Sequence, residues 1–155
     1  MSAYISKLTH RDAIIKVVSN SGTASASVVI GLGTTGYSNQ FVSGDGTIGL
    51  ALFQTGNSEI VGTGNTVPKV AIRKVKWSSQ SNSTAHNISV TRNSTDVLQL
   101  FYSGEFETTN LTENATSNIN VSITGLGTLI IELSKLGGYY YQNQLELQQN
   151  TLRNI

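Results

Sequence analysis

NINVSITGLGTLIIELSK, residues 118–135, is the stretch that decides the fold class. Ile119, Val121 and Ile123 alternate with Asn120, Ser122 and Thr124, the period of two of a strand with one wet face. Gly125-Leu126-Gly127 follows and predicts a chain reversal, because glycine enters positive φ without a Cβ clash. Leu129, Ile131 and Leu133 then share one face, with Ile130, Glu132 and Ser134 on the other. The second run is the more apolar, which places it inside a sheet and buried on both faces near Ile130. Together the two runs are expected as a β-hairpin at the core of a small β-domain.

Working outward, residues 12–19, 24–30, 47–53, 69–78, 87–92 and 97–102 read as further strands. In 69–78 (KVAIRKVKWS), Val70 and Ile72 share one parity, Val75 and Trp77 the other. That phase change predicts a β-bulge near Arg73-Lys74 and puts Trp77 in the core. Asn93-Ser94-Thr95-Asp96 has the chemistry of a four-residue turn. Residues 31–46 and 54–66 are glycine-rich loops, the first with Tyr37, Phe41 and Val42 as anchors. Residues 104–118 are a polar connection. Pro68, the only proline, suits a strand start because it cannot donate to a ladder. About eight strands with turns every 8–12 residues predict an all-β fold, an antiparallel, jelly-roll-like β-sandwich, with an up-and-down barrel as second choice. Residues 1–11 are expected as an extended N-terminal arm, 12–136 as one domain, and 137–155 as a C-terminal tail, either a short helix or an extended arm.

The bulk composition agrees. The 155 residues suffice for one domain with a real core. Charged residues are 12% of the chain, about half the usual share. The polarity comes instead from 19 serines, 18 threonines and 14 asparagines. Thr favours strands, while Ser, Asn and the 15 glycines favour turns. Hydroxyls and amides also suit an exposed particle surface. A net charge of +1 gives no global pull toward nucleic acid or an anionic membrane. With no cysteine, disulfide and thiolate chemistry are excluded. The opening MSAYISKLTHRD carries no apolar stretch of secretory type, and no run approaches the ~20 apolar residues of a membrane helix.

Few motifs carry chemistry. GLGTTG, residues 31–36, matches a dinucleotide fingerprint. That motif works through the helix it opens, and residues 37–46 are poor helix material, so it reads as a β-loop. His10 and His86 have no second nearby ligand, so both read as surface or turn residues. Glu105 and Glu107 share a face of an extended segment with Glu113 nearby; they read as solvated charges rather than a glycosidase pair or calcium site. Six N-x-[ST] triplets follow from composition. Lys69, Arg73, Lys74 and Lys76 beside Trp77 form a basic cluster that reads as an aggregation-resistant edge or an interface with an acidic partner. Tyr139-Tyr140-Tyr141 points alternately along an extended chain and suits a mixed packing and interface role.

KVAIRKVKW (69–77), ISVTR (88–92), VLQLFYSG (97–104) and GTLIIELSK (127–135), taken in order, resemble small virion structural proteins of tailed bacteriophages. The opening SKLTHRDAIIKVVS (6–19) is similar to their beginnings. The resemblance implies a non-enzymatic, late particle component with a β-sandwich fold, and it carries over no active-site residue. The leading expectation is a capsid decoration (cement) protein, made in the host cytoplasm and seated on the capsid exterior. Its partner would be the major capsid protein or another virion protein. The particle setting adds a homo-oligomer, a trimer being one form. No cofactor, nucleic acid or membrane is expected. Terminal arms and the basic bulge would make the contacts, giving Lys7, Arg11, Arg73, Lys74, Lys76, Tyr139, Tyr140, Tyr141, Leu145 and Leu147 as candidates. A neck or tail component, or a receptor- or carbohydrate-binding module, is the alternative. A glycosidase would need converging carboxylates that the sequence does not offer.

Overall fold

In a computed structural model of the chain, the described residues are 2–31, 39–42, 44, 46–53, 59–61, 67–79, 87–112 and 114–141. Among them the regular structure is all strand. The strands are β1 (Ser2–Leu8), β2 (Asp12–Ser19), β3 (Thr23–Val29), β4 (Gln40–Val42), β5 (Ile48–Ala51), β6 (Glu59–Val61), β7 (Lys69–Ser79), β8 (Asn87–Arg92), β9 (Thr95–Leu100), β10 (Ser103–Leu111), β11 (Ile119–Thr124), β12 (Gly127–Gly137) and β13 (Tyr139–Tyr141). One sheet has the order β1-β2-β12-β7-β10, the other β4-β5-β3-β11-β8-β9, and β13 pairs with β6. The two large sheets pack face to face as a β-sandwich. Neighbours distant in sequence, such as β2 with β12 and β3 with β11, exclude the up-and-down barrel.

The stretch 118–135 forms two strands, as expected, but not a hairpin. β11 lies in one sheet and β12 in the other, so Gly125 and Leu126 turn the chain across the sandwich. β2 and β3 make the same crossing through residues 20–22. The two bends lie side by side. Thr124 pairs with Thr23 before the bend and Gly127 with Ser19 after it, while Gly125 N–H donates to Gly22 O at 2.6 Å. β9 and β10 cross through Phe101 and Tyr102, and β7 and β8 also lie in opposite sheets. A ribbon of four segments, β2/β3, β12/β11, β7/β8 and β10/β9, is therefore folded over on itself with one strand order in both layers.

That folding explains the side-chain pattern. Ile119, Val121 and Ile123 face Leu129, Ile131 and Leu133 from opposite layers, all at most 1% exposed. Ile15, Val17, Val28, Ile72, Val75, Ile88 and Val90 belong to the same core. Each such residue contributes about 1.5–3 kcal/mol by leaving water. Ile130 is only half-buried, because it stands on the outer face of a central strand. The expected bulge is present: β12 pairs with Lys74 through Glu132 and with Ile72 through Leu133, leaving Arg73 as the extra residue.

Several boundaries differ from expectation. Residues 2–8, expected as part of an arm, are the edge strand β1, antiparallel to β2. Only Ala3 on that strand is fully buried, so its alternation is too faint to read. The turn after β8 is two residues, Asn93 (φ 50°) and Ser94 (φ 59°), with Arg92 paired to Thr95. This is the type I′ geometry that matches strand twist. Residues 97–102 split between β9 and the bend, and the "connection" at 104–118 contains the nine-residue β10. Trp77 is half-buried rather than central. It lies over Gly104, where a Cβ would meet its ring at 2.7 Å, and edge-on to Phe106 with centroids 5.9 Å apart. Of the expected tail, Tyr139–Tyr141 forms β13, and residues 142–155 are outside the described set.

Candidate functional site

The basic bulge is brought together, but not as a bare cationic patch. β10 runs antiparallel to β7 and sets Glu105 opposite Lys76 and Glu107 opposite Lys74. Lys74 Nζ lies 2.7 Å from Glu105 Oε1 and 3.5 Å from Glu107 Oε1, and Lys76 Nζ lies 3.8 Å from Glu105 Oε2. Arg73 Nη1 donates to Asp12 Oδ1 at 3.0 Å. Both charge signs are therefore presented on the outer face of the β1-β2-β12-β7-β10 sheet.

The hydrogen bond from Lys74 holds the Glu105 carboxyl below its ordinary value of 4.5, and the same bond raises Lys74 above 10.5. A depressed carboxyl contributes stability above its unfolded pKa and loses it as pH falls through the folded one. A raised ammonium contributes below 10.5 and loses it at higher pH. Glu105→Gln is expected to flatten the acid limb of stability below pH 4.5, as measured by urea midpoints at pH 7 and in acid. An unchanged acid limb would remove the pair from the account. Surface exposure and salt screening keep the effect small.

The other sequence candidates scatter. Lys7 and Arg11 are exposed at the β1–β2 end; Lys7 stands in one cross-strand row with Lys74, through Ile14 and Glu132, but three strands away, and Arg11 precedes the Asp12 that Arg73 bonds. Tyr139 is buried: its hydroxyl donates to Ile30 O at 2.6 Å, and Lys135 Nζ sits 4.6 Å from its ring centroid. It anchors the domain and offers no surface to a partner. Tyr140 and Tyr141 are strand residues whose side chains are outside the described set, as are Leu145 and Leu147 altogether. His86, Glu113, Tyr37 and residues 32–36 of the glycine motif are outside it too. Among the described residues no group of three or more His, Cys, Asp or Glu could hold a metal ion.

Three features escape sequence reasoning. The first is the bend between β9 and β10. Phe101 and Tyr102 are 39% and 56% exposed, and Tyr102 has φ 57°, a strained value for a bulky residue. The bend is pinned by Ser79 N–H donating to Tyr102 O and by Trp77 Nε1–H donating to Phe101 O at 2.9 Å. The fold thus holds an aromatic side chain out in water. An alternation that continues through LQLFY hides this, because the strand ends at Leu100.

The second is the outer face of the other sheet. Thr124, Ser122 and Asn120 stand opposite Thr23, Ser25 and Ser27 on one side and opposite Asn87, Ser89 and Thr91 on the other. These nine side chains form a charge-free array of hydroxyls and amides. The third is a groove of about 340 Å³ beside the bends, where Val18, Thr128 and Ser78 stand in one cross-strand row on the outer face and Asn20 and Leu126 close one end. No family model, curated protein or solved structure matches the chain.

Proposed function

We propose that the protein is a non-enzymatic virion structural protein of a tailed bacteriophage, acting as a capsid decoration protein on the outer shell. Connectivity carries this reading. A four-segment ribbon folded so that both layers keep one strand order is what we read as a jelly roll, an architecture shared by viral capsid and lectin domains. The resemblance of residues 69–77, 88–92, 97–104 and 127–135 to phage virion proteins supports it. The two outer faces suit a shell-bound module. One carries mixed charge, and the other has a central array of hydroxyls and amides. Its partner is the major capsid protein, and many copies on a symmetric shell turn modest single contacts into firm attachment.

The exposed pair Phe101-Tyr102 is the best anchor for such a contact, since aromatic side chains dominate interface energies. Co-sedimentation with particles stripped of the protein tests the reading. Saturable rebinding in many copies with a raised rupture temperature is the expected result. Absence of rebinding overturns it, and binding in a few copies moves the protein to the neck or tail. Tyr102→Ala is expected to weaken rebinding by about 2 kcal/mol per copy, roughly thirtyfold. Because the bend holds this side chain in solvent, the isolated domain should keep its melting temperature.

A further inference from the structure

The two layers of the sandwich differ by one strand, and the difference leaves a gap. β1 lies over β5. β4, the next strand out in the larger sheet, therefore has no strand of the other sheet opposite it among the described residues. The burial pattern records the gap. Gln40 and Val42 pair with Leu50 and Ile48, which pair in turn with Val28 and Ala26 of the core. Residues directly opposite share a face of the sheet, so Gln40 and Val42 point inward. Both are nonetheless exposed, Val42 by 68%, while the outward Phe41 is half-buried over Gly49. Ile48 on β5 and the inward Ile5 and Leu8 on β1 are only half-buried as well. An apolar floor of strand width is left bare beside β1.

The edge above that floor is open. β10 carries Glu105 and Glu107 and a register shift before Leu111, and β9 carries the exposed Asp96. Charges and bulges of this kind guard an edge against strand addition. β1 runs uncharged from Ser2 to Ser6. Its cation Lys7, beyond the register shift, stands on the outer face with Ile14 rather than an acid opposite it.

We propose that the C-terminal tail of the same chain fills this gap, residues 144–148 adding to the edge as a strand antiparallel to β1. QLELQ has the required pattern. Leu145 and Leu147 share the face that covers Val42, Ile48 and Ile5, and Glu146 falls on the outer face, the side of Lys7. Strand addition combines main-chain hydrogen bonds with sites for alternate side chains. The reach fits too. Tyr139 is tied to Ile30 O, just past the end of β3 that lies away from the bends. β1 finishes at the same end, since Leu8 pairs with Ala13 and Ala13 with Leu133, so a strand entering there runs against β1. The gap over β4 is two strand spacings from β3, about 10 Å, and the residues from Tyr139 to Gln144 span up to about 17 Å. The inference does not rest on the capsid reading: it is measured on the isolated protein, whereas capsid attachment is measured on particles, so either can fail alone.

The chain has no cysteine, so a nitroxide attached to Gln148→Cys reports on the tail alone. Amide NMR signals of the full, isotope-labelled chain are compared with the nitroxide oxidised and reduced. Residues 2–8 and 40–42 are expected to lose most of their intensity, while residues 103–107 on the opposite flank keep theirs. A mixture of spin-labelled chain at natural isotope abundance with isotope-labelled chain lacking the nitroxide should show no loss, because each chain uses its own tail. Adding Leu147→Asp should restore the lost signals and leave the rest of the spectrum in place, because that floor offers a carboxylate no partner.

Full intensity at residues 2–8 and 40–42 in the spin-labelled chain overturns the proposal. Loss in the mixed sample overturns it as well, by showing that the tail docks on a second copy. Loss that survives Leu147→Asp overturns the placement of the leucines on the floor.

Discussion

Replacing Arg92 with methionine is expected to lower the unfolding free energy by about 3–5 kcal/mol, among the largest effects a single change should have in this domain. Arg92 is 0% exposed and faces backbone carbonyls rather than a carboxylate. Nη1 donates to Val70 O at 2.7 Å, Nη2 to Ala115 O at 2.9 Å and Ser117 O at 2.8 Å, and Nε to Ser117 O at 3.1 Å. It joins the end of β8, the start of β7 and the turn before β11. Burial pushes the guanidinium below its ordinary pKa, the mark of a cation kept from water, and the four hydrogen bonds offset that cost.

Methionine would fill much of the volume and leave the Val70 and Ser117 carbonyls without these donors. Ala115 O would keep Val70 N–H at 2.9 Å. Lysine is expected to fall between, because a single ammonium does not span the three carbonyls that a planar fork reaches. The check is a urea melt in which the midpoint drops and the m-value holds. The matching fall in melting temperature is about 10–15 °C for a domain of this size. A loss under about 0.5 kcal/mol would mean that water takes over the carbonyls and Arg92 is dispensable.

Gly138→Ala is expected to cost about 3 kcal/mol or more, for two separate reasons. The residue has φ 81°, where an L side chain is strained. A Cβ there would also lie 2.5 Å from Pro68 N and 2.8 Å from the Val67 carbonyl carbon. Both neighbours are backbone, so relief requires moving the start of β7 away from the junction of β12 and β13. That movement would disturb Tyr139, whose hydroxyl bonds to Ile30 and whose ring carries Lys135. Gly137→Ala is the control: its Cβ would meet nothing within 4 Å, so it should stay within about 0.5 kcal/mol of wild type. Equal melting temperatures for the two variants would show that the close approach to Pro68 is not a constraint.

Arg92 also shows how far the pattern of residues could be read. It continues the parity of Ile88 and Val90, so its inward direction was visible in NISVTR. Its partners were not, because Val70, Ala115 and Ser117 are more than twenty residues away in sequence. The basic bulge divides in the same way. The phase change around Arg73 was visible in KVAIRKVKWS, but its neutralisation by Glu105 and Glu107 depends on β10 lying beside β7. The groove was not visible at all. Its row of Val18, Thr128 and Ser78 comes from strands β2, β12 and β7, which meet only after pairing.

By itself the sequence determined the all-β class, most long strands, the Arg73 bulge and the inward side of strands such as β8, β11 and β12, because strand period is written residue by residue. It also determined the hydroxyl-rich, low-charge surface, because that is composition. Only the tertiary structure decided that residues 118–135 bend between sheets instead of pairing as a hairpin. The reason is physical: an apolar row is buried equally well against a partner beside it or a layer opposite it. Alternation records that a face is covered and not by what. The choice was made by the ladders that β11 forms with β3 and β8, and β12 with β2 and β7, hydrogen bonds between backbones that carry no trace of side-chain identity.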